Sequence, residues 1–480
     1  MGAAIDGMPA PDTRRALSSL MFFPRGGSAH AARGLARELP RHGWSVRLLS
    51  GSRRDLGPEA DALTFYRGLE VRAVDYTEAV SSERPLEHGD GDGGVPMHPS
   101  YEDRPGAPDK VFATLDQRAF ERQVRAWGTA LESAGARSCD VLHLHHLTPI
   151  NEAAARLASS VPVVGQLHGT ELLMLERIAA GPPRSWTHAG EWAERMRQWA
   201  HRCEALLVSP GGLERAVGLL GVERESLVPV ANGVDTDRFQ PRRIDRLAHW
   251  RRHLVESPRG WAPGQRPGSV AYEERDLAPF NSGVVLVYLG RFTEVKRLPL
   301  LLRAYSRAQE EFTSPAALVL LGGYPGEWEG KHPVQLVAET GARNVFLAGW
   351  HDQSELPPFL AASDVIVLPS GQEQFGQALI EGMACGLPAI AARSFGAQTI
   401  VEDGRSGWVV PADDEGALSG ALVEGVNDDV ERRRRSIQAR DAVLRRYSWH
   451  RIGARVAALF EAVADAPRRE GEPLPETAED

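Results

Sequence analysis

Two glutamates within one short segment, Glu373 and Glu381, are the residues whose types and spacing best suit chemistry. The apolar run at residues 365–368 predicts a buried strand, residues 369–375 a loop, and Gly376 the start of a helix. Backbone N–H groups at the start of a helix carry positive partial charge and suit an anion such as a diphosphate. Glu381 lies roughly 7 to 8 Å along the helix axis from Gly376. The two carboxylates are therefore expected to reach hydroxyls on opposite sides of a diphosphate, which is how a nucleotide sugar is built.

Two cations follow another predicted strand, at residues 284–289. Arg291 and Lys296 stand in the loop after it and could neutralise a diphosphate leaving group. An arginine and a lysine after a strand are more often solvated surface charges, and Arg297 is a third cation beside Lys296. These residues alone do not choose between the two interpretations.

Six segments together resemble, in order and spacing, the motifs of retaining glycosyltransferases with the GT-B architecture. The most similar family is glycosyltransferase family four, also described as glycosyl transferases group one. The segments are residues 23–30, 166–171, 230–235, 289–296, 369–388 and 401–410. The resemblance implies transfer of a hexose from a nucleoside-diphosphate sugar, most often a UDP-sugar, to an acceptor hydroxyl with retained configuration. It implies no cofactor and no metal.

The resemblance also assigns roles to individual residues. The implied catalytic residues are His168, Glu373, Arg291 and Lys296. Donor contacts are implied at Gly26, Gly27, Asn232, Arg291, Lys296, Leu347, Phe375, Gly376, Gln377 and Glu381. Acceptor contacts are expected at His30, His98, Tyr101, His145 and His146. Glu373 would hold hydroxyls of the transferred sugar, Glu381 the ribose, and His168 would approach the donor sugar.

Several of these residues also have plain structural interpretations. Gly26 and Gly27 could form a turn before a helix rather than a loop that closes over phosphates. His168 could cap the helix that follows it, and Asn232 could be a turn-former beside Gly233. The resemblance favours the ligand-binding interpretation for each.

The closely spaced histidines 143, 145 and 146 raise the question of a metal site. His143 and His145 share one face of a predicted strand, but no acidic or cysteine residue is near them in sequence. Neutral imidazoles also pair with backbone carbonyls. We therefore expect no metal here, and place His145 and His146 near the acceptor.

Residues 81–110 are rich in glycine, proline, aspartate and histidine, which predicts a long loop. The loop is either a mobile surface excursion or a lid over the acceptor, since ligands bind beyond the carboxyl ends of parallel strands. In the second case His98 and Tyr101 contact the acceptor. The sequence does not decide between them.

Apolar runs alternate with helical stretches in two series, which predicts an α/β fold. With the resemblance, the expected architecture is GT-B: two Rossmann-like, doubly wound parallel-sheet domains that face each other across a cleft. The predicted divisions are a disordered leader (1–16), an acceptor domain (17–240), a hinge insertion (241–282), a nucleotide-sugar domain (283–445), a helix that returns to the first domain (446–466) and a disordered acidic tail (467–480).

Composition is compatible with a soluble two-domain enzyme. The chain has 480 residues and a formal charge of -9, which argues against a broad nucleic-acid-binding surface. Its three cysteines lack disulfide or metal-site spacing, and no secretory signal or membrane-spanning run is recognisable, so we expect a cytoplasmic protein. Abundant arginine and alanine hint at a bacterial source. The expected partners are a nucleotide sugar and a small-molecule or glycan acceptor, as in carbohydrate or secondary-metabolite biosynthesis.

Two positions depart from the family pattern. Thr399 stands where relatives commonly carry glutamate, and Phe395 where glycine is common, which puts contacts to the sugar in that loop in doubt. Other functions with the same architecture also stay open at this point. They are a sugar epimerase or phosphorylase, and a nucleotide-sugar-binding pseudoenzyme that serves as a scaffold.

Overall fold

The computed structural model describes residues 13–24, 26–89, 94–102, 108–373 and 375–466. The predicted acidic tail lies outside the described residues, and so do the first twelve residues of the predicted leader. The first strand starts at Arg14, so the end of that leader is already part of a sheet.

The first sheet contains seven parallel strands. They are β1 (Arg14–Leu20), β2 (Trp44–Ser52), β3 (Glu70–Asp75), β4 (Val141–His145), β5 (Val163–Gln166), β6 (Ala205–Val208) and β7 (Leu227–Pro229). Their order is β3-β2-β1-β4-β5-β6-β7, and β1 pairs in parallel with both β2 and β4. The strand order therefore reverses between β1 and β4. In open parallel sheets, ligands bind beyond the carboxyl ends of the strands at such a reversal.

The second sheet contains six parallel strands. They are β8 (Val284–Gly290), β9 (Ala316–Gly322), β10 (Val345–Gly349), β11 (Val365–Leu368), β12 (Ala389–Ala392) and β13 (Gly407–Val410). Their order is β10-β9-β8-β11-β12-β13, so the reversal lies between β8 and β11. All four residues of β11 are buried, which fits a strand covered by helices on both faces of its sheet. The loops after β8 and β11 carry the cations and Glu373, and the helix that follows the second loop carries Glu381.

The helices connect and cover these strands. They are α1 (Gly27–Glu38), α2 (Ala62–Phe65), α3 (Thr77–Ser81), α4 (Gln117–Ser133), α5 (Pro149–Leu157), α6 (Thr170–Ala179), α7 (Ala189–Arg202), α8 (Leu213–Leu220), α9 (Arg246–Arg251), α10 (Ala278–Ser282), α11 (Leu298–Ala308), α12 (Pro333–Thr340), α13 (Leu356–Ala361), α14 (Gln377–Ala384), α15 (Phe395–Ile400), α16 (Glu415–Asn427), α17 (Asp429–Arg446) and α18 (Trp449–Asp465). None of these described helices is both long and apolar enough to cross a membrane.

The helix α4 shows how local sequence sets these elements. Asp116 caps its start, because the carboxylate accepts a hydrogen bond from the Ala119 amide at 2.8 Å. Phe120, Val124 and Trp127 follow at helical spacing and are buried in the core of the first sheet.

By internal contacts the chain divides into two units, residues 1–231 with 450–480, and residues 232–449. The last helix, α18, belongs almost entirely to the first unit. Its Phe460 packs edge-on against Trp44 with ring centroids 5.3 Å apart, and Asp465 pairs with Arg14 at 2.7 Å. The predicted pair of parallel α/β sheets is confirmed.

Residues 241–282, predicted as a hinge insertion, are packed within the second unit. Trp250 is fully buried with its ring 5.7 Å from that of Phe359. Gly260 lies against β10, because a Cβ atom there would stand 2.4 Å from the carbonyl oxygen of Leu347. Since β10 is at the edge of its sheet, the segment covers that edge.

Candidate active site

The loop after β8 is fixed by a buried tyrosine. The hydroxyl of Tyr288 donates to the carbonyl oxygen of Arg291 at 2.6 Å, and burial raises the pKa of that phenol. Gly290 makes room for the ring, since a Cβ atom there would lie 2.9 Å from the Tyr288 hydroxyl oxygen. A short 3₁₀ turn, Glu294–Lys296, then leads to α11. The backbone of the predicted cationic loop is therefore held by the core.

Lys296 and Glu373 form an ion pair across the strand reversal of the second sheet. The Lys296 Nζ atom lies 2.5 Å from Glu373 Oε2, and the two side chains are 18% and 16% exposed. The two residues are 77 positions apart in sequence. Partial burial makes such a pair stronger than an ordinary surface salt bridge. The structure thus brings one predicted phosphate ligand and one predicted sugar ligand into direct contact.

The other two cations differ from Lys296. Arg297 pairs with Asp413, with 2.9 Å between Nε and Oδ1. Arg291 is exposed, and in the part of the chain that the structure describes it forms no salt bridge. Arg291 can therefore contribute its charge to a ligand, whereas Lys296 and Arg297 are each paired with a carboxylate. Of these two, only Lys296 has a predicted sugar ligand, Glu373, as its partner.

The loop that carries Glu373 rests on the start of α15. The Gly396 amide donates to the Glu373 carbonyl oxygen at 2.8 Å. A Cβ atom at Gly396 would lie 2.4 Å from the Phe375 carbonyl oxygen, so only glycine allows this approach. The Phe375 ring in turn packs edge-on against Tyr447 at 5.9 Å. The backbone of Glu373 is thus positioned by α15 and its carboxylate by Lys296.

Gly376 begins α14 in the left-handed region, with φ of 93°. Its carbonyl oxygen accepts the Leu379 amide at 2.9 Å, which closes the first turn. Among the described residues no side chain caps this helix start. The first amides of α14 remain suited to an anion, as the sequence predicted.

We expect Gly376→Ala to weaken both folding and transfer. The left-handed conformation costs an alanine roughly 1–2 kcal/mol, and the new Cβ would stand 3.1 Å from Leu379 Cδ1. A fall in Tm of about 2–4 °C per kcal/mol is expected for a domain of this size. Gly420→Ala is the matched control, because Gly420 lies in α16 with nothing within 4 Å of a built Cβ. Equal melting curves for the two variants would contradict the role of the Gly376 conformation.

Glu381 lies five positions beyond Gly376, on the buried face of α14, and is 3% exposed. Its Oε1 atom accepts hydrogen bonds from Gln353 Nε2 at 2.6 Å and Gln377 Nε2 at 3.4 Å. Burial raises the pKa of this carboxyl to about 7, and the two amide hydrogen bonds only partly oppose the rise. Glu381 is therefore an acid whose protonation changes near neutral pH.

Two other predicted donor contacts, Leu347 and Asn232, are less accessible to a ligand. The Leu347 amide donates a hydrogen bond to the Tyr272 hydroxyl at 2.7 Å, and Leu347 is 4% exposed, so neither its amide nor its side chain is open to a ligand. Asn232 is half-buried beside Gly233, where a Cβ atom would lie 2.5 Å from the Trp449 ring. Their donor roles stay predictions.

In the first unit, four histidines gather at the carboxyl ends of β4 and β5. His145 Nδ1 lies 2.9 Å from His168 Nε2, and His145 Nε2 lies 3.0 Å from the Ser18 hydroxyl oxygen. His143 reaches the same hydroxyl at 3.3 Å. Burial, with the neighbouring imidazoles, lowers the pKa of His145 and His168 well below the usual value. These rings are therefore neutral hydrogen-bonding groups.

His146 and His168 are both held by Glu171, which is fully buried. The carboxylate lies 2.6 Å from His146 Nδ1 and accepts the His168 backbone amide at 3.2 Å. His146 itself adopts a left-handed conformation with φ of 67°. His145 and His146, predicted as acceptor contacts, and His168, predicted to approach the donor sugar, thus form one connected cluster, in which His168 is the most exposed member.

The two glycines predicted to precede a helix lie at the start of α1, with Gly26 as its N-cap and Gly27 as its first residue. Gly26 and Gly27 are exposed, neither has a positive φ, and nothing lies within 4 Å of a Cβ built on either. A tight turn therefore does not explain the two glycines. His30, in the first turns of α1, lies 2.9 Å from an Arg33 guanidinium nitrogen and packs on Phe65.

His98 and Tyr101 lie in the core and not in an open loop. Tyr101 is 6% exposed and its hydroxyl donates to the Leu147 carbonyl oxygen at 2.7 Å. His98 is 2% exposed and packs edge-on against Phe22 and Tyr76. Of the two interpretations left open, a mobile surface excursion does not describe these two buried residues, and their packing does not support the acceptor contact that the lid would provide.

Comparison with known proteins decides the family. The family described as "Glycosyltransferase Family 4" matches residues 25–238, and "Glycosyl transferases group 1" matches residues 273–442. One match lies mainly in the first unit and the other in the second, and together they contain all six sequence segments except residues 23–24.

The chain belongs to glycosyltransferase family four.

This glycosyltransferase is 27% identical over 420 residues to a D-inositol 3-phosphate glycosyltransferase of Xylanimonas cellulosilytica, which covers 84% of this chain and 89% of the relative. Its fold is similar to that of sucrose-phosphate synthase from Thermosynechococcus elongatus, with TM-score 0.66, 17% identity, and 94% and 99% of the two chains covered. Its fold is also similar to that of Anabaena HepE in complex with UDP-glucose, with TM-score 0.62 and 16% identity. The comparison covers 93% of this chain and 99% of HepE. The GT-B fold is therefore shown.

The two departures from the family pattern lie on α15 of the glycosyltransferase. The Thr399 hydroxyl donates to the Gly396 carbonyl oxygen at 2.8 Å, and the Thr399 carbonyl oxygen accepts the Tyr447 hydroxyl at 2.5 Å. Phe395 exposes 55% of its surface. Thr399 thus serves the helix itself, and an exposed aromatic ring stands next to the loop that carries Glu373.

Sequence reasoning missed two residues of the glycosyltransferase site. Gln353 gave no signal, because its contact with Glu381 spans 28 positions and an isolated glutamine in a loop is common. Glu171 is the last residue of the segment 166–171, but the resemblance assigned it no role. Its position three residues after His168 was a usable signal, since a carboxylate there can reach back to the His168 amide.

Proposed function

We propose that the chain is a retaining glycosyltransferase that moves a sugar from a UDP-sugar to an acceptor hydroxyl without a metal ion. The observation that carries this proposal is the Lys296–Glu373 ion pair beside the uncapped start of α14. Cation, carboxylate and helix start meet where ligands bind in parallel sheets. This is the chemistry that an activated sugar with a diphosphate requires.

The diphosphate is the leaving group, and its developing charge is where stabilisation has the greatest effect on rate. Lys296, the exposed Arg291 and the first amides of α14 supply positive charge to it. In the proposed step the bond between the anomeric carbon and the phosphate oxygen breaks. The acceptor oxygen bonds to that carbon from the same face, and the acceptor proton passes to the leaving phosphate.

Glu373 is assigned to the transferred sugar. Its carboxylate is fixed by Lys296 and still has acceptor lone pairs for sugar hydroxyls. His168 keeps its predicted role as a contact of the transferred sugar, a role that rests on the family resemblance.

Glu381 is assigned to the ribose. Both of its hydrogen bonds within the described chain end on Oε1, so Oε2 is the atom that can accept a ribose hydroxyl. An ionised carboxylate only accepts hydrogen bonds, whereas a protonated one carries an O–H donor and has fewer acceptor sites for the ribose hydroxyls, which links nucleotide binding to the raised pKa of Glu381.

UDP is the first nucleotide to test because HepE, a protein of similar fold, has been solved with UDP-glucose. The curated relative is named for D-inositol 3-phosphate, which makes a polyol phosphate one acceptor to try. Other small molecules and glycans with free hydroxyls remain in the proposed acceptor class.

The experiment is a thermal-shift titration with UDP, GDP, ADP and TDP, each with and without EDTA. We expect UDP to raise Tm progressively with concentration, by more than the other nucleotides, because a ligand of the native state stabilises it by mass action. EDTA should leave the shift unchanged. Absence of a shift with every nucleotide would overturn the proposal.

A second measurement separates transfer from its rivals. Incubation with a UDP-sugar and an acceptor should give a glycoside of the donor's anomeric configuration, read from the proton coupling of the product. The same donor without acceptor should give no epimerised sugar, and an epimerised product would favour the epimerase alternative.

A further inference from the structure

A cluster of two histidines and one glutamate lies in the first unit. Glu38 ends α1, His42 ends the 3₁₀ turn that follows it, and His450 is in the first turn of α18. Glu38 Oε1 lies 3.3 Å from His42 Nε2 and 3.1 Å from His450 Nδ1. One ligand atom from each of these three residues lies within 4.8 Å of the others. We call this set the Glu38 cluster.

The spacing of the Glu38 cluster fits zinc. Zinc binds histidine nitrogen and carboxylate oxygen at about 2.0–2.2 Å in tetrahedral geometry, so neighbouring ligand atoms stand roughly 3.3–3.5 Å apart. The observed oxygen-to-nitrogen distances of 3.3 and 3.1 Å are close to that separation. The third edge, between the His42 and His450 nitrogens, is at most 4.8 Å, so binding an ion would bring these two imidazoles closer together.

The Glu38 carboxylate is enclosed by residues that position it and leave space for its side chain. The Glu38 side chain is 6% exposed, and its other oxygen, Oε2, lies 3.1 Å from the Arg41 guanidinium. Gly453 of α18 lies directly over it, since a Cβ atom there would stand 2.3 Å from Glu38 Cγ. Arg41 therefore orients the carboxylate from outside and leaves Oε1 for a metal, as groups around a metal site commonly do.

We propose that Glu38, His42 and His450 bind a zinc ion, with water as the fourth ligand, and that this ion fastens α18 to the end of α1. Both imidazoles bind in the neutral form and the carboxylate in the ionised form. Glu38 and His450 are more than four hundred positions apart in sequence. The ion therefore cross-links the two chain segments that form the first unit, residues 1–231 and 450–480. This inference does not rest on the proposed transfer reaction.

The test uses full-length protein without a histidine tag, stripped with EDTA, dialysed and titrated calorimetrically with zinc chloride. We expect one equivalent of zinc to bind and to raise Tm. His450→Ala should weaken that equivalent by at least about tenfold and abolish its effect on Tm. The His450 side chain is 70% exposed, and α18 keeps its contacts through Phe460 and Asp465, so this variant should fold.

His201→Ala is the matched control, because His201 is an exposed histidine of α7 outside the Glu38 cluster. It should bind zinc as the parent does. A parent protein that binds no zinc, or a His450→Ala variant that binds it unchanged, would show that the Glu38 cluster is a hydrogen-bonded contact only. Cobalt is an independent probe: its tetrahedral absorption should appear with the parent and be absent with His450→Ala.

Discussion

Lys296→Ala should lower transfer by at least about a hundredfold, with the loss chiefly in kcat. A preorganised group that stabilises charge in the transition state is typically worth 10²–10³ in rate. The Lys296 side chain is only 18% exposed, so its charge is screened less than that of a surface lysine. The measurement is steady-state transfer from the donor identified by the nucleotide screen.

The variant also leaves Glu373 without its cation. Glu373→Gln, alone and combined with Lys296→Ala, separates the two effects. If Lys296 acts only by holding Glu373, the double variant should be no slower than Glu373→Gln alone. If it stabilises the leaving group, the double variant should be slower by a large factor.

Lys331→Ala is the matched control. Lys331 is 62% exposed, pairs with Glu339 at 2.8 Å and lies outside the candidate site. It should leave transfer unchanged. A Lys296→Ala enzyme with parental kcat would refute the assignment of this residue.

Glu381→Gln should weaken nucleotide binding and, at the same time, stabilise the free protein above neutral pH. The amide keeps the shape of the side chain but accepts fewer hydrogen bonds from ribose hydroxyls. We expect UDP affinity to fall about tenfold or more, since hydrogen bonds to a charged group are worth roughly 1.5–3 kcal/mol. Calorimetric titration of UDP measures this.

The stability effect follows from the raised pKa of Glu381, from 4.5 to about 7. Between these values the folded protein binds more protons than the unfolded chain, so the free energy of unfolding falls as pH rises. The cost of the buried charge is absent below pH 4.5 and complete above pH 7. It amounts to ~3 kcal/mol at most for a shift of 7 − 4.5, about 2.5 pH units.

The Tm of Glu381→Gln should therefore exceed that of the parent at pH 8, and the difference should shrink toward pH 5. Exposed Glu339→Gln should show no such trend. A Glu381→Gln protein that is less stable than the parent at pH 8 would contradict the buried-charge argument. Reduced affinity together with raised stability would mark Glu381 as a residue kept for binding.

Much of the fold was predictable because buried parallel strands are continuous apolar runs. The run at residues 365–368 was predicted and β11 has those bounds. Strand β3 was missed because it is an edge strand in which the polar residues Glu70 and Arg72 are exposed and interrupt the apolar run. Strand β7 was missed because it has only three residues.

The parts of the candidate site that are formed by consecutive residues were predictable. The loop at residues 369–375 and the helix start at Gly376 were predicted from consecutive residues, and α14 begins there. The contacts of Lys296 with Glu373 and of Gln353 with Glu381 depend on which strands are neighbours in the sheet, and a single sequence does not contain that information. For His98 and Tyr101 the glycine- and proline-rich composition suggested a loop, while aromatic packing against Phe22 buried them.

The contact between Gly396 and the Glu373–Phe375 loop has a consequence for altering the donor sugar. Because the two backbones touch without an intervening Cβ, a substitution that moves one segment must displace the other. Libraries that randomise the glutamate loop alone should yield mostly inactive enzymes. New sugar preference is expected when α15, with its exposed Phe395, is varied together with that loop.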